Sequence, residues 1–178
     1  MKLHLGCGKR NFGEDWIHID GGDFKHLHSH DIINLPFENE SADLIYASHV
    51  IEYFDREEVK IVLAGWRRVL KKGGILRLAV PNFCTMARLY MEADYDLDSF
   101  LGPLYGRMKM GDAYIYHKTV YDYYSLENLL NKCQFSNVRL WSWKKVDHGK
   151  IDDHSQAYLP HMDKDNGILI SLNLEADK

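Results

Sequence analysis

The sequence predicts an α/β fold, a mostly parallel sheet carrying few helices in its N-terminal half. Three observations predict it. The early apolar runs are short and apolar on both faces, as strands buried in a parallel sheet must be. The connections between them are too lean for full crossover helices. The clearest helix comes only at Arg56–Leu70, and another strand-like run follows it at once.

Taken in order, the strand candidates are Lys2–Gly6, Trp16–Asp20, a short one near Asp31–Ile33, Leu44–Ser48, Ile75–Pro81, Asn137–Trp143 and Ile168–Leu174. Only Lys9–Asp15 separates the first two. Seven extended residues reach roughly 23 Å and a five-residue strand is about 16 Å long, so a parallel return needs no helix. In Arg56–Leu70 the residues Val59, Val62, Leu63, Trp66 and Leu70 form one apolar stripe. Asp55 reads as its N-cap, with Glu58 three positions on, and Lys71, Lys72 and Gly73 close the far end. Further helices fit Phe83–Ala93 and Leu126–Cys133, the latter capped by Ser125. Residues 94–124 read as irregular, with glycines at 102, 106 and 111 and Pro103. No repeat or linker divides residues 1–178, which read as a single domain.

At 178 residues with 46% hydrophobic and 27% charged residues, the chain has the makeup of a globular domain. A net charge of -4 supplies no basic field, so no nucleic-acid partner is expected. No window approaches a membrane span and no signal-peptide core opens the chain. Three cysteines, Cys7, Cys84 and Cys133, are odd in number and widely spaced, which predicts a reducing, cytoplasmic setting. The composition leaves the oligomeric state open.

Chemistry concentrates at the N-terminus. Lys2-Leu-His-Leu-Gly-Cys-Gly8 reads as a strand entering a glycine turn, and Asp20 closes the next strand. Glycines let backbone approach a ligand, and a carboxylate there can accept from two ribose hydroxyls. A tight turn alone would equally account for Gly6 and Gly8, and a turn before Gly21-Gly22 for Asp20. The spacing Gly6-Cys-Gly-Lys-Arg-Asn-Phe-Gly13 is not Gly-x-Gly-x-x-Gly, which argues against a dinucleotide enzyme. His26, His28 and His30 alternate, and His148, Asp152, Asp153 and His154 form a second polar cluster. Both read as polar loops rather than zinc sites, having no helical pair and no cysteine at ligand spacing.

Five motifs occur in order: Leu3-His-Leu-Gly-Cys-Gly8; Asp20; Asp31-Ile-Ile-Asn-Leu-Pro-Phe37; Ser41-Ala-Asp-Leu-Ile-Tyr-Ala-Ser-His-Val-Ile-Glu-Tyr-Phe54; and Val69-Leu-Lys-Lys-Gly-Gly-Ile-Leu-Arg-Leu-Ala-Val-Pro-Asn82. Over roughly residues 1–143 the chain resembles class I S-adenosylmethionine-dependent methyltransferases, most closely their small "type 11" relatives of unassigned substrate. The resemblance implies a Rossmann-like sheet with an antiparallel last strand, and S-adenosyl-L-methionine as cofactor. It places Gly6, Cys7 and Gly8 at the methionine portion, Asp20 at the ribose hydroxyls, and Asp31 with the Ile32 amide at adenine. Ala47, Ser48 and His49 would border the transferred methyl. Asp31 otherwise reads as a surface acid beside histidines.

Two positions depart from the family pattern. His4 stands where relatives carry an acid, and Arg10 where they often carry a third glycine. Arg10 then reads either as a contact for the cofactor carboxylate or as a solvated loop residue. His117, in the tyrosine-rich stretch, and Glu52, after the fourth predicted strand, are the candidate catalytic residues. Their structural alternatives are a histidine bonded to a carbonyl and an acid at a helix start. The implied reaction is in-line methyl transfer to an oxygen, nitrogen or carbon nucleophile of a small molecule or saccharide. A nucleoside-binding module without catalysis is the alternative.

Overall fold

The computed structural model describes residues 1–93 and 95–178. Six strands form the central sheet: β1 (Lys2–Leu5), β2 (Trp16–Ile19), β3 (Ala42–Ser48), β4 (Leu70–Pro81), β7 (Ser136–Leu140) and β10 (Ser171–Asp177). Their order is β2-β1-β3-β4-β10-β7. The first four run parallel, with Leu3 opposite Ile17 and Ile45. β10 lies antiparallel to both β4 and β7. The expected mixed sheet with an antiparallel last strand is thus present, on the Rossmann-like plan.

The predicted strand near Asp31–Ile33 does not form. The Asp31 carboxylate accepts from the amides of Ile33 and Asn34, both at 2.8 Å, and from the Asn34 side chain at 3.0 Å. A short acid that satisfies its own loop's amides turns the chain instead of extending it. β2 therefore ends the sheet, with only a bridge from Ile19 to Ser29 beyond it.

Two helices cover one face. In α1 (Glu58–Val69) the residues Val59, Val62, Leu63 and Trp66 are buried against Leu3, Leu5, Ile45, Leu76 and Leu78. Asp55 accepts from the Glu58 amide while the Glu58 carboxylate accepts from the Asp55 amide, the reciprocal start the sequence suggests. α1 stops one residue early, and β4 begins at Leu70 without a loop. A Cβ at Gly74 would press on the carbonyls of Lys71 (2.9 Å) and Ala42 (3.1 Å), so glycine permits this sharp join. α4 (Tyr123–Lys132) adds Leu126 and Leu130 to the same core. Its cap is Asp122, not Ser125; Ser125 is the third helical residue and completes the capping box.

The opposite face carries an aromatic layer where a first crossover helix would sit. Lys9–Asp15 forms no helix, and Phe12 folds over His4 with ring centroids 4.0 Å apart. His148 stacks on Phe12 and on Tyr46, and the Tyr46 hydroxyl donates to Asp153 at 2.6 Å. The predicted strand Asn137–Trp143 stops at Leu140; Trp143–Lys145 and Asp147–Lys150 are short 3₁₀ turns that finish this cover.

Residues 94–124 were expected to be irregular. They contain α3 (Asp98–Tyr105) and a hairpin, β5 (Met108–Met110) and β6 (Ala113–Ile115). Between them Gly106 adopts a left-handed conformation. α2 (Phe83–Glu92) precedes this insertion, capped by Asn82. The predicted strand Ile168–Leu174 divides into β9 (Ile168–Leu169), which pairs with β8 (Tyr158–Leu159), and β10.

Candidate active site

β1, β2 and β3 are parallel, so their following residues emerge at one edge: Gly6, Asp20 and His49. β1 lies between β2 and β3, so the chain leaves it in opposite directions at that edge, the crevice where open α/β sheets take ligands.

The glycine turn is built for close approach. Gly6 and Gly8 have φ of 65° and 55°, where other residues are strained. A Cβ on Gly6 would collide with the Val50 side chain, whereas one on Gly8 would meet nothing within 4 Å. The turn is thus tight on its inner side and open on its outer side. The Asp20 carboxylate spans both strand ends. One oxygen accepts from the Gly8 amide and the other from the Gly22 amide, each at 2.7 Å. Two ionised oxygens hold about four acceptor positions, so half of its capacity is free for ligand hydroxyls. Cys7 is buried, and burial followed by the Asp20 charge pushes its thiol up to about 12. It is therefore a neutral wall, not a nucleophile.

A second group lies at the end of β3. His49 has φ of 54°, a strained conformation of the kind that clusters at functional sites. The 3₁₀ turn Ile51–Tyr53 follows and turns Glu52 inward. Glu52 has no exposed surface, and neither carboxyl oxygen has a hydrogen-bond partner among the described residues. Its Oε1 lies 3.6 Å from His49 Nδ1 and 3.9 Å from His117 Nε2, too far for hydrogen bonds. Burial without a partner raises its pKa to about 8, so it carries its proton at neutral pH.

His117 is held from three sides. Its Nδ1 lies 3.0 Å from the Pro103 carbonyl, which fixes the proton there and leaves a lone pair on Nε2. The Tyr53 ring meets it edge-on at 4.6 Å, and the Tyr53 hydroxyl donates to the Gly106 carbonyl. A Cβ at Gly106 would overlap the imidazole. The Glu52 carbonyl accepts from the amides of Lys118 and Thr119, joining the two segments. Burial lowers the pKa of both His49 and His117, which keeps them neutral. Ser48 Oγ, His49 Nε2 and the Tyr121 hydroxyl are also buried without partners among the described residues. Such orphaned groups are costly in a core and are expected where a ligand completes them.

The structure therefore brings Gly6, Cys7, Gly8 and Asp20 together, and separately Ser48, His49, Glu52 and His117, along one edge. Asp31 and Ile32 stand apart in role. Asp31 is exposed and its carboxylate serves its own loop, while the Ile32 carbonyl accepts from the Trp66 indole at 2.7 Å. The three alternating histidines diverge: His26 lies 3.7 Å from the Cys7 sulfur, His28 stacks on Phe37, and His30 reaches the Gly22 carbonyl. Among the described residues no group of histidines, cysteines and acids has metal-holding geometry. Two residues the motifs did not bring here join the edge. Tyr121 comes from the segment just before α4, where it bridges Asn82, and the His154 ring lies 5.1 Å from that of His49. Two surface cavities of about 210 and 400 Å³ lie elsewhere, the first at the amino ends of β1 and β3 beside Lys2 and Leu44.

Comparison with known proteins shows what this chain is similar to. Residues 7–78 match the family described as a methyltransferase domain. That stretch holds Cys7 and Gly8 of the glycine turn, Asp20, Glu52, α1 and most of β4. That stretch is similar to a methyltransferase domain. Solved structures carry the same fold at low identity. A methyltransferase from Methanosarcina mazei is 16% identical with a TM-score of 0.60, covering 99% of this chain and 91% of its own. One from Archaeoglobus fulgidus is 18% identical with a TM-score of 0.55, covering 99% and 85%. The 1,6-didemethyltoxoflavin-N1-methyltransferase of Burkholderia thailandensis, solved with S-adenosylhomocysteine, is 12% identical with a TM-score of 0.56, covering 99% and 70%. No curated protein matches the chain. The protein has no helix, among its described residues, long and apolar enough to cross a membrane.

Proposed function

We propose that the 178 residues act as one domain that methylates a hydroxyl or amine of a small molecule or saccharide. Asp20 and the turn Gly6–Gly8 hold the cofactor, and His117 is the proton acceptor. One observation carries this reading. The Asp20 carboxylate stretches across the ends of β1 and β2 on the same edge as His117 and the unpartnered Ser48, His49 and Glu52.

The residues present fit the cofactor. The open outer side of Gly8 admits its methionine portion to backbone groups, and the free acceptor positions of Asp20 suit its ribose hydroxyls. Asp31 and Ile32 are assigned to the adenine rim, with the Ile32 amide as donor. Bound there, the sulfonium supplies an activated methyl group with a neutral leaving group. Ser48 and His49 border the reacting atoms. Positioning then carries most of the acceleration. His117 Nε2, its tautomer fixed by the Pro103 carbonyl, takes the proton of the acceptor. Protonated Glu52 leaves that lone pair free instead of drawing a proton onto it. The exposed Tyr105, Tyr114 and Tyr116 belong to the same insertion and offer aromatic faces to a sugar. The free thiols of Cys7, Cys84 and Cys133 suit a reducing cytoplasm.

The test is S-adenosylhomocysteine release with a panel of hydroxyl and amine acceptors. With an acceptor found, His117→Gln should lower kcat by roughly 10²–10⁴-fold while cofactor affinity stays within a factor of two. Unchanged kcat in that variant would remove His117 from the reaction.

A further inference from the structure

Arg10 follows the glycine turn, its amide bonded to the Cys7 carbonyl at 3.1 Å. Its Nε donates to the Asp152 carbonyl at 2.8 Å, which pins one edge of the guanidinium against the 147–157 segment. The two terminal nitrogens make no hydrogen bond among the described residues, and Arg10 forms no ion pair among them. Nearby acids are engaged elsewhere. Asp152 pairs with Lys164 at 3.2 Å, and Asp153 accepts from the Tyr46 hydroxyl and the Ser155 amide.

Burial first, and the nearby guanidinium charge as a lesser cause, depress protonation of His49 and His154. Arg10 is therefore a half-buried, uncompensated cation between the glycine turn and the end of β3. His4, where relatives carry an acid, is 1% exposed and stacked on Phe12 in the aromatic layer. This edge offers no anion from β1 to a ligand amine, and it offers a fork that matches a carboxylate.

We propose that Arg10 binds the carboxylate of the cofactor's methionine portion through its two free terminal nitrogens. This rests on the cofactor site assigned above. A planar guanidinium held by its Nε is pre-aligned, so little freedom is lost when two parallel hydrogen bonds form. His154, across from His49, closes the same corner.

Calorimetry separates this proposal from the site reading. The probes are S-adenosylhomocysteine and its decarboxylated analogue, which keeps the amine and loses the carboxylate. The intact protein should prefer S-adenosylhomocysteine by about 10- to 100-fold, as one bidentate charge-assisted contact warrants. Arg10→Ala should bring the two affinities to within about threefold of each other while leaving the analogue's own affinity unchanged. Arg10→Gln, which keeps polar bulk near Asp152, should do the same if Arg10→Ala fails to fold. Undiminished discrimination in a folded variant, or equal loss of both ligands, would overturn the role of Arg10 and leave the adenosine site standing. Binding of neither probe to the intact protein would instead overturn the site itself.

Discussion

Glu52 is the residue at which folding and chemistry are most plainly at odds. A carboxyl with no exposure and no partner is costly in its charged form, and the protein keeps it neutral rather than pairing it. Its folded pKa of about 8 stands above the ordinary 4.5. The unfolded chain therefore loses this proton first, and folding stability falls as pH rises from 4.5 to 8. Glu52→Gln should remove that decline. Its gain over the parent should grow toward pH 8, reaching on the order of 2–4 kcal/mol in urea melts. A gain that is the same at pH 5 and pH 8 would show that Glu52 is charged in the fold. Residue-scale legibility followed the motifs. Gly6, Gly8, Asp20 and His49 stand within matched segments, so their shared edge could be read from strand ends alone. Arg10 carries two readings from its place after the glycine turn, whereas His154 has no such signal, because only the fold brings it beside His49.

At the scale of elements, periodicity and caps made α1, β1, β2 and β3 legible, down to the reciprocal bonds of Asp55 and Glu58. The third expected strand failed because Asp31 competes for its own loop's amides. α3 was hidden by Gly102 and Pro103, which read as breakers although the helix includes them. The absent first helix was legible from the short connection, but its replacement was not. Phe12, Tyr46, Trp141 and His148 meet from four distant segments to seal that face. This layer buries His4, His18 and His148, and burial lowers all three pKa values, that of His148 to about 3. The unfolded chain takes up these protons first, so stability is full above pH 6.5 and is lost as pH falls toward 3. Urea midpoints should therefore drop below pH 6.5, and His148→Phe should make that drop shallower. A midpoint that His148→Phe leaves equally pH-sensitive would show that the layer does not exclude the charge.

At the scale of the whole molecule, one edge of the sheet gathers the parts that matter. The order β2-β1-β3-β4-β10-β7 puts the glycine turn and Asp20 on one side of the switch point and the His49–Glu52–His117 group on the other. The insertion carrying α3 and the hairpin reaches across that edge. Gly106 abuts His117, and Met110 rests on Gly21, beside Asp20, where a Cβ would meet its sulfur at 3.1 Å. The acceptor is the part least written in the sequence, because no motif marks the insertion proposed to receive it. The central claim is that an adenosine group docks across β1 and β2 with Asp20 on its ribose. Titrating S-adenosylhomocysteine into the protein and into Asp20→Asn tests it most directly, since asparagine keeps the size of the side chain, removes the charge and leaves one acceptor oxygen in place of two. A loss of roughly 10- to 100-fold in affinity is predicted, the worth of hydrogen bonds to a charged acceptor. Equal affinities in the two proteins would contradict it.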